Sequence, residues 1–491
     1  MKVVNTARLL PGVVAFSIVL LLTACGGNAS NNGGGGTPTP PPTPTPSTAN
    51  QWTWMSGANT ANATGVYGTL GIASASNVPG ARFSAVSWAD SSGNLWLFGG
   101  GSYDSNGAGY LLNDLWEFNT AAKTWTWVSG SSTGNAGGVY GTQGVASASN
   151  MPGARNGAVS WTDSSGNFWL FGGIGYDSTG ATGDLNDLWE FNPAAKTWTW
   201  VSGASTVNVV GVYGTQGVAS STNIPGARNG AVSWVDSSGN LWLFGGYNNC
   251  GSNNACDDFN DLWEFNPAAK TWTWVSGSNT ANAYGVYGTL GVASSSNTPG
   301  SRENSVSWTD RSGNFWLFGG QGQAAPGSGG WLNDLWEFKP TAKTWTWVSG
   351  SSTGNEAGVY GTLGSASTAN VPGGRYTSVG WIDGSGNLWL FGGQGNDSTG
   401  AGYYLNDLWE YSPTSKEWTW MSGSNMASGP TNRQPGIYGT LGIPAASNLP
   451  GARFSSVTWI DGSGNLWLFG GIGYDSTGVR SALNDLWRYQ P

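Results

Sequence analysis

Apolar residues occur in this chain as short runs, and the polar residues between them are those that turn a backbone. Where the pattern first appears in full, residues 82–88, 95–98, 114–118 and 124–128 are β-branched and aromatic runs bounded by Gly, Asn, Asp, Ser and Pro. They predict four short strands, a to d. Residues 90–94 (Asp-Ser-Ser-Gly-Asn) form the tight a–b turn and residues 119–123 the c–d turn. Strand b, Leu-Trp-Leu-Phe, does not alternate apolar with polar, so both of its faces must be buried. Sheets packed face to face around a ring bury a strand in this way; an open, half-solvated sheet does not.

The unit recurs six times, at intervals of about 73 residues. Trp-Thr-Trp starts at Trp52, Trp125, Trp198, Trp272, Trp345 and Trp418, and Phe-Gly-Gly at Phe98, Phe171, Phe244, Phe318, Phe391 and Phe469. One interval is longer and absorbs an insert around Pro430 to Pro435. An arginine opens each strand a (Arg82, Arg155, Arg228, Arg302, Arg375, Arg453), Gly99-Gly100 ends strand b, Asp114 and Trp116 lie in strand c, and Trp125 in strand d. In these residues the unit resembles the kelch repeat over about residues 51–491, and departs from it in length, through extra residues between strand d and the next strand a. The resemblance implies an all-β, six-bladed β-propeller of four-stranded antiparallel blades, with the arginine part of its scaffold. The last unit has no Trp-Thr-Trp of its own, while the one at Trp52 precedes every other strand. The N-terminal strand is therefore expected to complete the last blade and remove the open edges.

The N-terminal end of the chain carries a different signal. Lys2 and Arg8 precede an apolar run, residues 13–22, that is too short for a mature transmembrane helix. Leu22-Thr-Ala-Cys25 resembles the lipobox of bacterial lipoproteins, which implies that residues 1–24 are a signal peptide and that Cys25 is lipidated. Residues 25–50, uncharged and rich first in Gly and Asn and then in Thr and Pro, read as a tether. Acyl chains on Cys25 would hold the protein at a membrane. The same resemblance implies, from Gly26 in place of the aspartate that would favour the inner membrane, the outer membrane of a bacterial cell envelope. Cys250 and Cys256, in one short loop, are expected to form a local disulfide in that oxidising compartment. The formal charge of −9 argues against nucleic acid as a partner.

The chain contains no histidine, which removes histidine-dependent triads, histidine-ligated zinc and the copper-radical oxidation known among kelch-type propellers. No metal, cofactor or catalytic constellation is expected. Of 31 tryptophans, all but Trp331 fall at repeated positions and read as packing. In an antiparallel a–b–c–d sheet the b–c and d–a connections share one face, which is the expected binding face. Its b–c loops hold Asp104, Asp177, Asp184, Asp257, Asp258, Asp397 and Asp475 against a single Arg480. Asp104, Asp177, Asp397 and Asp475 each start Asp-Ser-x-Gly, which reads first as a self-capping turn and then as a calcium or ligand contact. Trp331, Asp104, Asp177, Asp257, Asp258, Asp397, Asp475 and Arg480 are the candidate ligand contacts. The repeated Tyr67, Tyr140, Tyr213, Tyr287, Tyr360 and Tyr438 are expected to pin each d–a insert. The reading is a monomeric, lipid-anchored recognition module for a glycan or a protein. A sugar-modifying enzyme such as a mutarotase or epimerase, and a purely architectural surface protein, are the alternatives. Positions that break the repeat (Trp331, the Cys250–Cys256 loop, Glu303, Glu356, Arg480 and the insert around Arg433) mark where function is sought.

Overall fold

The computed structural model describes residues 49–103, 108–248, 257–429 and 432–491, which are strands and turns with no helix among them. The signal peptide, nearly all of the tether, Cys25, Asp104, Cys250 and Cys256 lie outside the described residues. The strands gather into antiparallel sheets, six of which contain the a–b–c–d pattern. In the first, strand a is Val86–Ala89, strand b Leu95–Tyr103, strand c Gly109–Asn119 and strand d Thr124–Ser129. The N-terminal strand Gln51–Ser56 pairs antiparallel with the C-terminal strand Arg480–Gln490, with Trp52 opposite Tyr489. First and last segments thus share one sheet, as the placement of Trp52 suggested.

Strands b and c are longer than the residue pattern predicts. After Phe98 the pairing shifts by a bulge at Gly99 and Gly100, whose φ values are +66° and +100°, and then continues to Tyr103. A side chain on Gly99 would lie 2.8 Å from the Arg155 carbonyl. Gly-Gly therefore bends the strand instead of ending it. The segments expected to be b–c loops are extended hairpins in four units. In the second and third units they are separate short pairs, Ile174–Tyr176 with Thr182–Asp184 and Tyr247–Asn248 with Asp257–Asp258.

Strand b is buried on both faces, as its composition requires: Leu95 and Leu97 pack into one core and Trp96 and Phe98 into another. The cores lie between successive sheets. One of them joins Leu95, Leu97, Trp116 and Trp125 of the first unit to Trp459, Trp467 and Phe469 of the last.

Hydrogen bonds at the inner strands form closed cycles. Ser84, Gly157, Gly230, Asn304, Thr377 and Ser455 all have left-handed φ, between +50° and +64°. Each N–H donates to the carbonyl of the same residue one unit earlier, and Ser84 N–H donates to Ser455, so six bonds of 2.6–3.0 Å return to their start. A second cycle runs the other way. Trp88 Nε1 donates to the Trp169 carbonyl at 3.2 Å, and the series continues until Trp459 donates to Trp96 at 3.0 Å.

The extra residues between strands d and a cover exposed sheet edges. Gly71 N–H donates to the Trp127 carbonyl at 2.8 Å and Ser74 N–H to Trp125 at 3.2 Å, along the free side of strand d. In the last sheet Gly442 does the same for Trp54. An outer strand sealed in this way offers no template for another chain.

If the left-handed residues set the cycle, Gly157→Val should cost about 1–2 kcal/mol or more, because a β-branched residue resists φ near +60°. Thr377→Gly, which relieves the same constraint, should be neutral or stabilising. Equilibrium urea unfolding of the two variants tests this; a Gly157→Val protein as stable as the parent would refute it.

Candidate functional site

The repeated polar residues are consumed inside the scaffold. Arg82, 1% exposed, grips Asp114 with two hydrogen bonds of 2.7 and 2.8 Å and donates to the carbonyls of Gly80 and Gly99. Tyr67 Oη and Trp116 Nε1 both donate to Asp114 Oδ2 at 2.7 Å. The same arrangement recurs in all six units, which gives six buried Arg–Asp pairs. Burial and then the charge of Asp114 hold the Tyr67 hydroxyl far above its ordinary range, so it remains a proton donor. The tyrosine thereby fastens the insert to the ion pair of the unit that follows it.

Three candidate aspartates are used in the same internal way. Asp177 Oδ1 accepts from Thr179 N–H, Thr179 Oγ1 and Ala181 N–H, and Oδ2 accepts from Val207 N–H in the insert. Asp397 and Asp475 repeat this, with Ala427 and Ala61 as the insert donors. Burial would raise the Asp177 carboxyl, but the hydrogen bonds outweigh it and hold it below the usual carboxylate range. These groups cap hairpin turns and have their lone pairs occupied.

The side chains that differ between units collect elsewhere. The residue after each invariant arginine is Phe83, Asn156, Asn229, Glu303, Tyr376 or Phe454. Each sits one position before a left-handed residue of the axial cycle. Those cycle residues line an axial cavity of about 130 Å³. Across the extended hairpin each faces a strand-b residue and then a strand-c residue: Glu303 opposes Gln321, which opposes Trp331. Directly opposed residues project to the same face, so every unit sets a row of three residues at this mouth, the middle one of the first row being Gly101 under the Phe83 ring.

Adjacent rows touch. Asn229 Nδ2 donates to Asp184 Oδ1 at 2.8 Å. Trp331 stacks on Tyr376 with ring centroids 5.9 Å apart and planes at 22°. Tyr404 stacks on Phe454 at 4.9 Å and 23°. Arg480 donates to Tyr404 Oη at 2.6 Å and lies 5.5 Å above its ring. Tyr376 Oη donates to Gln394 at 3.0 Å. One sector is thus aromatic, and the neighbouring sector, through Asn229, Tyr247, Asp258 and Glu303, is acidic and amide-bearing. Beside it lies a cleft of about 470 Å³ lined by Asp184, Asn208, Asn248, Asp257, Phe259 and Asn279, among others. The opposite end of the axis holds a cavity of about 530 Å³ lined by the six strand-a tryptophans and small neighbours, with no acid or base in its wall.

Burial, reinforced by Asp258, raises the Glu303 carboxyl to about 7, against a hydrogen bond from Asn304 that lowers it. Burial and then Asp257 raise Asp258 to about 6. Neither acid belongs to an ion pair among the described residues. Burial and then the charge of Glu303 raise the hydroxyls of both Tyr247 and Tyr376.

The structure therefore places Trp331 and Arg480 in the aromatic sector, Asp258 near Glu303 in the acidic one, and Asp257 in the adjoining cleft. It sets Asp177, Asp397 and Asp475 apart as turn caps. Sequence reasoning marked Glu303 only as a break in the repeat and passed over Asn229, Tyr247, Tyr376 and Tyr404. The available signal was the variation at one position directly after an invariant arginine. No protein-family model and no curated protein matches the chain, so the kelch likeness rests on the motif residues themselves.

Because Glu303 is raised in the fold, the folded chain holds a proton that the unfolded chain releases between the usual glutamate value of 4.5 and about 7. Stability should fall as pH rises through that window, and the cost should be complete above it. Glu303→Gln is expected to stabilise the protein at pH 8 by about 3 kcal/mol and hardly at all at pH 4. Unfolding curves at both pH values check this; an equal effect at the two would contradict it.

Proposed function

We propose that residues 51–491 form a six-bladed, kelch-type β-propeller, anchored to a bacterial outer membrane through lipid on Cys25, and that its mouth recognises a glycan. The cyclic hydrogen bonds and the pairing of the N-terminal with the C-terminal strand support the closed ring. One observation carries the glycan reading. The residues free of scaffold duty are stacked aromatics beside carboxylates and amides, the chemistry that receives the apolar face and the hydroxyls of a sugar ring. Amides and acids at a rim satisfy hydroxyl groups in either hydrogen-bonding sense.

Glycan-array screening of the full chain followed by calorimetry tests the proposal. Trp331→Ala and Tyr376→Ala should each weaken binding by about tenfold, the loss of a stacking platform worth roughly 1–1.5 kcal/mol. Asp397→Asn, away from the mouth, should leave affinity unchanged. Absence of glycan binding, or equal binding by the platform variants, would refute it. The anchor is tested separately: Cys25→Ser should move the protein from the detergent-extracted membrane fraction to the soluble fraction, and retention at the membrane would count against lipidation.

A sugar-modifying activity is favoured by one feature, the carboxyl of Glu303, which titrates near neutrality where an acid–base group is most effective. Acceleration of anomer exchange by the protein, seen by one-dimensional NMR and lost in Glu303→Gln, would establish it; no acceleration with a panel of free sugars would remove it.

A further inference from the structure

We infer that the outer edge of the first and last sheets rests on the bilayer, with Leu70, Ile72, Leu441 and Ile443 seated at the boundary of headgroups and acyl chains. This rests on the lipid anchor proposed above and adds the surface through which the anchored chain meets its membrane.

The repeat singles out these residues. Each d–a insert makes a turn just after its repeated tyrosine. The sequence there is Thr-Leu-Gly-Ile at 69–72 and 440–443, but Thr-Gln-Gly-Val, Thr-Leu-Gly-Val or Thr-Leu-Gly-Ser in the other four units. Leucine and isoleucine thus occur together in two copies of six. Leu70, Ile72, Leu441 and Ile443 are all more than half exposed, so the scaffold does not use their side chains for packing. Grouped aliphatic residues left in solvent mark a contact surface.

The two copies are neighbours, and the tether joins the fold beside them. Gly442 N–H donates to the Trp54 carbonyl at 2.7 Å and Ala445 bridges Trp52, so one copy lies along the N-terminal strand itself. The other lies on the outer strand of the first sheet, through Gly71 and Trp127, and the first and last sheets share a core. The chain enters the N-terminal strand at Asn50, two positions before Trp52. Charge agrees with position. No charged residue occurs from position 9 to position 81, and Arg433 is the only one from 423 to 452. A chain of formal charge −9 therefore turns toward an anionic bilayer two inserts that contain no carboxylate.

Burying the exposed halves of four aliphatic side chains gives an association of only about millimolar strength. A tethered chain meets its membrane at an effective concentration of about the same size. The contact thus needs the anchor to be populated, and it holds the mouth in a fixed attitude once it is.

Hydroxyl-radical footprinting of the acylated full chain in vesicles of phosphatidylethanolamine and phosphatidylglycerol, read by peptide mass spectrometry, tests the contact. Leu70, Ile72, Leu441 and Ile443 should be oxidised about twofold or more slowly than in the Cys25→Ser protein free in solution, as a contact occupied half of the time or more requires. Leu290 and Val292, in a unit away from the tether, should react equally in both. A variant with Leu70→Gln, Ile72→Ser, Leu441→Gln and Ile443→Ser takes its residues from the chain's own repeat, so its urea unfolding should match the parent. On vesicles, oxidation of Val66 and Ile437 in that variant should return to the rate in solution. Absence of protection in the acylated parent overturns the inference and leaves the anchor reading standing. Equal protection of Leu290 and Val292, growing with protein density on the vesicles, marks contact between copies and overturns it as well. If the mass of the Cys25 peptide shows no acyl chain, the anchor reading falls and the inference with it.

Discussion

One left-handed residue per unit turns its N–H to one neighbouring unit and its C=O to the other, and the rest of the structure depends on this. In an extended conformation the N–H and C=O of Ser84 or Thr377 would both point to the same side of the strand, toward one neighbour. At φ near +55° they point sideways, donor to one neighbour and acceptor from the other, and the six bonds close. The same residue divides each inner strand in two. Its lower part packs the tryptophans of the core, and its upper part, beginning with the arginine, belongs to the extended hairpin. Core and mouth are thus separate layers hinged at one residue per unit.

The buried Arg–Asp pairs are better understood as positioning devices than as sources of stability. Removing two charges from water costs several kcal/mol per ion, and mutual attraction returns that only when every remaining lone pair is used. Here the carboxylate accepts from both guanidinium nitrogens, a phenol and an indole. The result is four chain segments fixed to one ion pair: the insert, the start of strand a, the end of strand b and strand c. The aromatic cores between sheets supply the burial that stabilises the fold; the ion pairs decide where the hairpins above them stand.

Much of this was legible in the residues. The doubly apolar Leu-Trp-Leu-Phe of strand b required sheets on both sides, and the position of Trp52 foretold its pairing beside the C-terminal strand. Repetition marked the arginines and the repeated tryptophans as scaffold, and the arginines are buried in the six ion pairs. What could not be read was the continuation of the hairpins past Gly-Gly. A glycine pair signals a turn and a permissive bend equally well, and only tertiary pairing decides between them. That ambiguity hid the mouth. With the b–c segments taken as loops, Asp177, Asp397 and Asp475 stood out by their charge, while Tyr376 and Asn229 looked like ordinary strand residues. Juxtapositions such as Asp258 with Glu303 join residues of neighbouring units 45 positions apart in the chain, and no local pattern reports them.

The sealed outer strands have a consequence for how such a chain grows. Each insert shields the outer strand of the unit it introduces, so one repeat of the sequence carries its inner face, its core contribution and its own cover together. Duplicating or deleting one repeat would add or remove a finished part, without exposing a raw edge during the change. The near-identity of the six copies is what a lineage built by tandem copying of such a part would leave, with divergence collecting at the three positions per unit that the frame does not need.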